Sequence, residues 1–404
     1  MKLVLADLGH SSLKPLTYTR CSADLEIGGK TVFEQITDEI NPEEAYILVP
    51  DYLEEITEKN TVLYSLDREV NSTPEESFIL YNTTVIPNRE IKEKIEVLEE
   101  NEALFYKGKF VAGLTDREIT FEELEDFAER FESIELDEEP VVLEHTWDMI
   151  EHNGELIEKN FPGEEIKGDL SDKAEVKGDK GLYLEEKAIV EENVVIDTSE
   201  GPVIIDSGTK VWPNSRIEGP TYIGEDTKIG AGENAVIHEN THIGDVTRIG
   251  GEIEESIVNS FTNKYHYGFL GHAVVGSWVN FGAGTTNSDL KNTYGTVKVN
   301  HPDEGLIEAG MKVGASIADH TKMDIQTGIY TGKLLGPVSR ASGKVTENVD
   351  PFTWVHLDEK HDYRVDKAVE HVERMMERRE DYLPEGYIEV QKNLIRVLSE
   401  RSEI

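Results

Sequence analysis

Aliphatic residues recur every six positions through the second half of the chain, often with glycine directly after them. A period of six fits neither an α-helix nor an alternating strand. It is typical of a parallel β-helix with three-sided coils, where one aliphatic side chain per face points inward. We predict such a β-helix over residues 175–345. The residues in phase are Ile205, Val211, Ile217, Ile223 and Ile229, then Ile237, Ile243 and Ile249 after a two-residue shift, and Val275, Phe281 and Val313 further on.

The first part of the chain alternates short apolar runs with helical patterns. The apolar runs are residues 3–6, 45–49 and 78–80, and residues 31–40 place Val32, Phe33, Ile36 and Ile40 on one helical face. This alternation predicts an α/β, Rossmann-like domain over residues 1–165 with parallel strands. Ligands of such sheets bind beyond the carboxyl ends of the strands, which directs attention to the loop at residues 7–20.

Three further segments complete the predicted organisation. Residues 118–139 are acidic, with four apolar residues at helical spacing, and predict a surface helix; residues 145–161 predict another helix. Residues 163–180 are charged and contain several glycines, so we place the domain boundary there. Residues 346–404 predict a C-terminal helical cap, because solenoids need capping and two amphipathic patterns lie there.

Acidic residues outnumber basic ones throughout the chain. Lys plus Arg is 40 and Asp plus Glu is 82, which gives a formal charge of −42 over 404 residues. This charge argues against nucleic acid as a partner, because phosphate binding needs clustered cations. A salt-rich cytoplasm explains the charge through screening, and a merely acidic protein is the alternative.

The ends and the cysteine content indicate the compartment. Cys21 is the single cysteine, so the chain has no internal disulfide. The apolar run at residues 3–6 reads as a buried strand and not as a signal peptide. No stretch is long and apolar enough to cross a bilayer. We therefore expect a soluble, cytoplasmic protein with no membrane partner.

Residues 256–274 interrupt the six-residue period and carry Lys264, His266 and His272. We interpret them as a loop thrown outward from the β-helix. An imidazole can accept the proton of an amine that attacks a thioester, which suits acyl transfer from an acyl-coenzyme A. Lys264 and Lys291 could hold a phosphate group as point charges. The alternative is that both histidines are loop residues bonded to backbone carbonyls.

Three motifs in this region resemble those of a known family. They are Asn-Lys-x-His-x-Gly-Phe-Leu-Gly-His at 263–272, Trp-Val-Asn-x-Gly-Ala-Gly-Thr at 278–285 and Asp-Leu-Lys-Asn-x-Tyr-Gly at 289–295. They are similar to the GlmU-like sugar nucleotidyltransferases, relatives of the enzymes that join an N-acetylglucosamine-1-phosphate uridylyltransferase to a glucosamine-1-phosphate N-acetyltransferase. Residues 15–20, Asn153-Gly154 and residues 351–354 also fit that group.

The resemblance implies a trimer of left-handed β-helices that uses acetyl-CoA at sites between subunits. His266 falls on the family's general base and Asn280 on a residue that lines the acetyl-transfer site. Binding of substrate or acyl-CoA is assigned to Lys264, His272, Asn280, Ala283 and Lys291. Two departures from the family bear on the identity of the acetyl acceptor. Gly250-Gly251 stands where the family has a basic pair, and Phe269 stands where it has a tyrosine.

The first domain departs further from the sugar nucleotidyltransferase pattern. Its glycine-rich loop is reduced to Leu8-Gly9-His10-Ser11-Ser12, and Ser22 stands at the lysine position. We assign nucleotide-sugar binding to Lys14, Arg20, Asp24 and Asn82. Nucleotidyl transfer needs Mg²⁺ held by carboxylates, so Mg²⁺ is expected only if this domain is active, with Asp7 and Asp24 as possible ligands. The alternative is that Arg20 and Asp24 form a buried ion pair that shapes the loop.

Three functional hypotheses remain open at this point. The first is acetyl-CoA-dependent N-acetyl transfer to an amino-sugar phosphate, with His266 as base. The second is a sugar-1-phosphate nucleotidylyltransferase in which the β-helix is a trimerisation scaffold. The third is a scaffold that binds nucleotide-sugars without catalysis. The expected small-molecule partners are a sugar phosphate and a nucleotide, and the expected assembly is a homotrimer.

Overall fold

The computed structural model describes residues 1–61, 66–232, 234–356 and 359–401. They form three parts: an α/β domain, a three-sided parallel β-helix, and two C-terminal helices. The helices are α1 (Val32–Ile40), α2 (Glu54–Thr61), α3 (Arg89–Ile95), α4 (Leu124–Phe127), α5 (Thr146–Lys159), α6 (Val365–Met376) and α7 (Tyr387–Glu400), with 3-10 turns at Leu16–Tyr18, Ser22–Asp24, Asp51–Leu53, Phe121–Glu123, Ala128–Arg130 and Glu377–Tyr382.

The first domain contains a seven-stranded sheet with the order β10-β8-β9-β6-β1-β4-β5. The pairs β1–β4, β1–β6, β4–β5 and β8–β10 are parallel, whereas β9 is antiparallel to both of its neighbours. The domain's strands are β1 (Lys2–Ala6), β2 (Glu26–Ile27), β3 (Lys30–Thr31), β4 (Glu44–Leu48), β5 (Arg68–Val70), β6 (Phe78–Asn82), β7 (Val85–Ile86), β8 (Glu102–Tyr106), β9 (Lys109–Thr115), β10 (Glu132–Glu135) and β11 (Val141–Val142).

Most sequence-based expectations for this domain are confirmed, but the sheet is mixed and not wholly parallel, because β9 runs antiparallel, and one predicted helix is wrong. The apolar runs form β1, β4 and β6, α1 covers the amphipathic stretch, and α5 covers the predicted helix at 145–161. The acidic segment 118–139 is not one helix: it forms α4, flanking 3-10 turns and the edge strand β10. Phe121, Leu124, Phe127 and Phe131 still pack on the sheet, so their spacing reflected burial and not a continuous helix.

The β-helix consists of short strands in three parallel stacks, which confirms the predicted architecture. The strands are β12 (Glu165–Ile166), β13 (Asp169–Leu170), β14 (Glu175–Gly178), β15 (Leu182–Leu184), β16 (Ile189–Val190), β17 (Val195–Thr198), β18 (Val203–Ile205), β19 (Lys210–Val211), β20 (Arg216–Glu218), β21 (Thr221–Ile223), β22 (Lys228–Ile229), β23 (Ala235–Ile237), β24 (Thr241–Ile243), β25 (Arg248–Ile249), β26 (Gly251–Glu254), β27 (Ile257–Val258), β28 (Asn263–Lys264), β29 (Phe269–Gly271), β30 (Val274–Val275), β31 (Asn280–Phe281), β32 (Thr286–Asn287), β33 (Val297–His301), β34 (Gly305–Gly310), β35 (Ser316–Ile317), β36 (Lys322–Met323), β37 (Gly328–Ile329), β38 (Leu334–Leu335), β39 (Arg340–Ala341), β40 (Lys344–Val345), β41 (Thr353–His356) and β42 (Glu359–Asp362).

We name the three stacks by the order in which each coil visits them. The first face is β12-β15-β18-β21-β24-β27-β30-β35-β38, and the second face is β13-β16-β19-β22-β25-β28-β31-β36-β39-β41. The third face is β14-β17-β20-β23-β26-β29 and continues as β32-β37-β40. The in-phase aliphatic residues fill the interior, where Ile205, Ile223, Ile243, Val258 and Val275 are all fully buried along the first face.

Two boundaries differ from the predicted ones. The β-helix begins at β12, before residue 175, so residues 163–180 form its first coil and not a linker. Most side chains of that coil are exposed, so its sequence is charged and resembles a linker. At the other end, the hairpin β41–β42 pairs with β39 and extends the second face, so the coil continues past residue 345.

Residues 256–274 do not form a loop thrown out of the coil, so that expectation is wrong. They supply β27, β28, β29 and β30, each in parallel register with the coil before it. The period seemed interrupted because Lys264 occupies the inward position next to Ile249. The true insertion is residues 288–313, which carry the antiparallel hairpin β33–β34.

The first domain and α5 lie on the first face of the β-helix. Ile257 and Val274 belong to the hydrophobic core of the first domain, whereas their neighbours Val258 and Val275 belong to the β-helix interior. Asn153 of α5 accepts the N–H of Gly28 at 2.9 Å and donates to the backbone oxygen of Asn240 at 2.7 Å. This one side chain therefore bonds both parts.

The C-terminal helices pack on the side of the molecule and not only at the end of the coil. α6 covers Trp278 and Val338 with Ala368, Val372 and Met376. Val390 and Leu394 of α7 join the core of the first domain. Among the described residues, no helix has both the length and the apolar character needed to span a bilayer.

A buried ion pair fixes the first domain against the β-helix. Arg20 donates to Asp319 Oδ2 at 2.7 Å from Nη2 and at 3.2 Å from Nε, and Thr19 Oγ1 donates to the same oxygen at 2.8 Å. The side chains of Arg20 and Asp319 are 12% and 5% exposed. Loss of one partner would leave the other charge buried and unpaired.

We expect Asp319→Ala to lower the free energy of unfolding by about 3–5 kcal/mol. The matched control is Asp324→Ala, because Asp324 pairs with Arg340 at 2.8 Å while both side chains are about one-third exposed. A surface pair of that kind contributes at most about 1 kcal/mol. Urea unfolding midpoints measure both effects, and equal losses in the two variants would show that the Arg20–Asp319 pair does not fix the interface.

Candidate functional site

His266 lies at an exposed corner of the β-helix, between the second and third faces. Residues 265–268 form this corner and connect β28 to β29. The His266 ring is exposed and contacts the Tyr265 ring edge-on, with 5.2 Å between centroids. The imidazole is therefore open to a substrate from solvent or from another subunit.

Ala283 lies at the same corner in the next coil. Residues 282–285 connect β31 to β32 there, and the backbone N–H of Gly284 donates to the Tyr267 oxygen at 3.0 Å. The backbone oxygen of Ala283 accepts the N–H of Gln326 at 2.8 Å from the following coil. The structure thus brings Ala283 and His266 to one edge of the prism.

Asn280 lies on the second face, just before this corner. It is in register with Asn263, and its Oδ1 accepts a hydrogen bond from Asn263 Nδ2 at 2.8 Å. Asn263 Oδ1 is buried without a hydrogen-bond partner among the described residues. The amide pair thus lies just before the corner, with Asn263 three residues before His266.

Lys264 does not lie on the surface, so the expectation that it binds phosphate is not supported. Its side chain is 1% exposed and points into the coil. Nζ donates to the backbone oxygens of Gly250 and Gly268, both at 2.7 Å. Burial lowers the pKa of Lys264 to about 8. Because Gly268 follows His266 by two residues, Lys264 holds the corner in place from inside.

Asn287 is a second polar residue in the aliphatic interior, and our reading of the sequence missed it. Its Oδ1 accepts the N–H of Gly271 and its Nδ2 donates to the Gly271 oxygen, both at 2.8 Å. Lys264 and Asn287 therefore fix the two ends of residues 264–271. The six-residue period does indicate that Asn287 points inward, since it follows the inward Phe281 by six positions.

His272 lies at a different corner, between the third and first faces. Its Nδ1 is 2.9 Å from Asp289 Oδ2 and its Nε2 is 3.5 Å from Glu255 Oε1, while Lys312 bonds Glu254. Desolvation lowers the pKa of His272, but Asp289 and Glu255 together outweigh it and raise the pKa to about 9. The side chain ties the inserted segment to the coil, which is a structural role in place of the predicted substrate contact.

Lys291 belongs to the inserted segment and not to the His266 corner. Its Nζ donates to the backbone oxygen of Thr296 at 2.5 Å. With Thr286 and Tyr330 it lines a cavity of about 510 Å³ beside the third face. The predicted acyl-transfer residues thus separate into a group near His266, which contains Asn280 and Ala283, and two residues elsewhere.

The four residues assigned to nucleotide-sugar binding are each engaged with protein groups. Lys14 pairs with Asp303 at 2.7 Å, and Arg20 pairs with Asp319. Asp24 pairs with Arg68 at 2.6 Å, so Arg20 and Asp24 are buried in ion pairs but not with each other. Asn82 is buried and donates to the Phe110 oxygen at 2.8 Å.

The carboxylates considered for Mg²⁺ do not fit a metal pair. Arg68 and Asn60 Nδ2 occupy the oxygens of Asp24 at 2.6 and 2.7 Å. Asp7 accepts the N–H and the hydroxyl of Ser22, and burial raises its pKa to about 6. Since Asp24 is already neutralised by a cation, the described residues at this end of the sheet do not supply two free carboxylates.

Comparisons with known proteins find a family match and several relatives in sequence. Residues 3–165 match the family model described as "Sugar nucleotidyl transferase". The GlmU of Carboxydothermus hydrogenoformans is 28% identical over 203 residues, 45% of this chain and 42% of that protein. The GlmU of Methanocaldococcus jannaschii is 30% identical over 194 residues, 47% of this chain and 40% of that protein.

A third relative has a name that states both chemistries. The bifunctional sugar-1-phosphate nucleotidylyltransferase/acetyltransferase of Sulfurisphaera tokodaii is 28% identical over 168 residues, 40% of each chain. The chain therefore matches less than half the length of these relatives. LpxA from Bacteroides fragilis, a UDP-N-acetylglucosamine acyltransferase, aligns with 56% of this chain and 94% of its own at 13% identity and a TM-score of 0.36. The predicted resemblance to GlmU is confirmed in the sequence.

We predict that Lys264→Met loosens the His266 corner. Two backbone oxygens would lose their donor, at a cost of about 1–3 kcal/mol each. Amide hydrogen exchange over residues 265–271 should become at least about tenfold faster. Lys228→Met is the control, since Lys228 is exposed on the same face. Unchanged exchange in Lys264→Met would rule out the positioning role.

The His272 cluster predicts a pH-dependent stability. The folded protein holds the His272 proton above its ordinary pKa of 6.5, up to about 9. Its contribution is therefore complete below about pH 6.5 and is lost as the pH rises to about 9, by an amount on the order of 2–3 kcal/mol. The difference in urea midpoint between the native chain and His272→Gln should shrink over this range. Parallel curves would contradict the ion-pair assignment.

Proposed function

We propose that the β-helix transfers an acetyl group from acetyl-CoA to an amino-sugar phosphate. The premise is that the chain is GlmU-like in sequence and that residues 3–165 match the sugar nucleotidyl transferase family. The observation that carries this proposal is the His266 corner. An exposed imidazole sits on a segment that buried polar side chains hold at both ends. Such preorganisation suits a group that must meet a proton in a defined place.

In the proposed reaction the acceptor amine attacks the thioester carbonyl carbon of acetyl-CoA. A C–N bond forms, His266 accepts the amine proton, and the C–S bond breaks. The CoA thiolate leaves and takes the proton back from His266, so the imidazole returns to its starting state. The Asn263–Asn280 pair and the backbone around Ala283 lie beside this position and are proposed to orient the substrates.

A row of outward positions on the second face could bind a substrate phosphate. Arg248, Asn263 and Asn280 follow one another in register, whereas Lys322, the next position, is half-buried and donates to the backbone oxygen of Trp278 at 2.6 Å. Arg248 forms no ion pair within the described residues, and burial together with the charge of Arg248 lowers the pKa of Arg379. Two arginines whose charges act on each other favour an anion, and we propose Arg248 and Arg379 as its ligands.

The proposed active assembly is a homotrimer. Tyr267 and Ile325 are 53% and 70% exposed, and both lie at the His266 corner. Tyr330 on the third face is also largely exposed. Apolar side chains clustered beside a site typically mark a protein interface. A second copy packed there would cover them and close a cleft over His266.

The net charge supports a proposal about the surroundings. With 82 acidic against 40 basic residues, self-repulsion is large in dilute buffer. Molar salt shortens the Debye length to about 3 Å and so reduces this electrostatic self-repulsion. We propose that the protein works in a salt-rich cytoplasm on small sugar phosphates and nucleotides.

The family match of residues 3–165 favours nucleotidyl transfer as a second candidate function. The pairing of Arg20 and Asp24 with protein groups opposes it, because neither is free for phosphate or metal. A nucleotide-sugar-binding scaffold is the third possibility. Pyrophosphate release by the full chain from UTP and a sugar 1-phosphate with Mg²⁺ would support the second candidate, and binding without turnover the third.

We expect His266→Ala to reduce acetyl-CoA-dependent CoA release with glucosamine 1-phosphate by about 10²–10⁴-fold, because general base catalysis contributes that much. A thiol assay on the purified chain in high salt measures this CoA release.

Light scattering of the same sample should give about three times the 45.5 kDa chain mass.

His238→Ala is the matched control, since His238 is a surface histidine of the third face held between Glu218 and Glu252. It should retain turnover. If His266→Ala also retained full turnover while the native chain was active, acetyl transfer at this corner would be excluded.

A further inference from the structure

A cavity of about 380 Å³ lies where all three parts of the chain meet. The first domain contributes Arg20 and Glu26, the β-helix contributes Tyr222 and Asp245, and α7 contributes Tyr387. We propose that this cavity binds a small organic cation, an amine carried as its ammonium ion, such as an unacetylated amino sugar. The inference concerns a site separate from the His266 corner and does not depend on acetyl transfer there.

Arg20 is predicted from the sequence to bind a nucleotide-sugar, but its guanidinium is already paired with a carboxylate and is not available for a phosphate. Two of its nitrogens donate to the Asp319 carboxylate, and Nη1 is 3.4 Å from Asn259 Oδ1. A phosphate would have to displace a buried carboxylate that already has good geometry. The Arg20 guanidinium therefore lines the cavity without serving as an anion ligand.

The remaining charge on the wall is negative. Among the described residues that line the cavity are seven carboxylates against two permanently cationic side chains, Arg20 and Lys30. An anionic ligand would be desolvated opposite like charges, whereas a cation would gain from them. The sign of this field excludes a nucleoside triphosphate as a favourable occupant.

Asp245 is one of four carboxylates of this wall, with Glu34, Glu225 and Asp226, that form no ion pair among the described residues. Its Oδ1 accepts the backbone N–H of Glu225 at 2.8 Å, and its own N–H donates to Ser260 Oγ at 2.9 Å. Glu26 meets the same Ser260 hydroxyl at 2.8 Å and has a partner, His242, at 3.2 Å. Burial and the nearby charge of Glu26 raise the pKa of Asp245 to about 7.

The rest of the wall suits the apolar body of an amine. Tyr222 and Tyr387 line the cavity, and Trp278 is stacked on Phe261 with 4.3 Å between ring centroids. Aromatic faces attract ammonium groups through their quadrupole and also accept the C–H faces of a sugar. A volume of 380 Å³ lies at the small end of ligand pockets and fits a monosaccharide or a short amine.

Calorimetry on the full chain at pH 7.5 tests the proposal with four probes: glucosamine, putrescine, N-acetylglucosamine and UTP. Glucosamine or putrescine should bind saturably with one site per chain, and N-acetylglucosamine, which lacks the charge, at least about tenfold more weakly. UTP should not compete. With putrescine, whose amines are already protonated at this pH, binding should release a fraction of a proton and make the heat depend on the buffer, because an ammonium ion next to Asp245 stabilises its carboxylate form.

Asp245→Asn should weaken amine binding at least about tenfold and remove the proton release. Asp324→Asn, outside the cavity, and His266→Ala should both bind as the native chain does, which separates this cavity from the proposed acetyl-transfer corner. The proposal is overturned if neither amine binds at millimolar concentration, if the neutral sugar binds as well as glucosamine, or if Asp245→Asn binds unchanged. Competition by UTP would also overturn it.

Discussion

The structure depends on one constraint: every inward position of a three-sided coil must be either apolar or hydrogen-bonded to the backbone around it. A polar group enclosed there has no water to bond, so leaving it unpaired costs more than the coil gains from one residue. Ile249 and Phe281 satisfy the constraint by being apolar, while Lys264 between them does so by donating to two backbone oxygens. Where an inward side chain forms buried hydrogen bonds to the backbone in place of apolar contacts, it fixes a particular backbone conformation. In this protein that conformation is the corner that presents His266.

A second theme is the reuse of the loop that follows the first strand. In a nucleotide-binding domain this loop is expected to face a ligand. Here Thr19, Arg20 and Glu26 face Asp319, Ser260 and His242 of the β-helix. The polar groups that would contact phosphates are consumed by an interface within the chain. The cavity between the two parts is lined by many acidic and aromatic residues.

The sequence was sufficient for the β-helix, because its period directly reports which side chains are inside. The same logic failed for residues 256–274, where a lysine at an inward position looked like an interruption. It also failed for residues 163–180, where the exposed, charged side chains of the first coil resemble a linker. His266 and its neighbours Asn280 and Ala283 were found by motif. The pairing of Arg20 with Asp319 joins residues 299 positions apart, and no local pattern carries that information.

The placement of α7 bears on the order in which the molecule can be completed. Val390 and Leu394 lie in the core of a domain whose first strand starts at Lys2. During synthesis the amino-terminal sheet leaves the ribosome long before the helix that seals it, and before the coils it rests on. Until then its apolar surface has no cover, so that surface is exposed to chaperones and to neighbouring chains. The core of the first domain is therefore complete only once α7 has packed onto it.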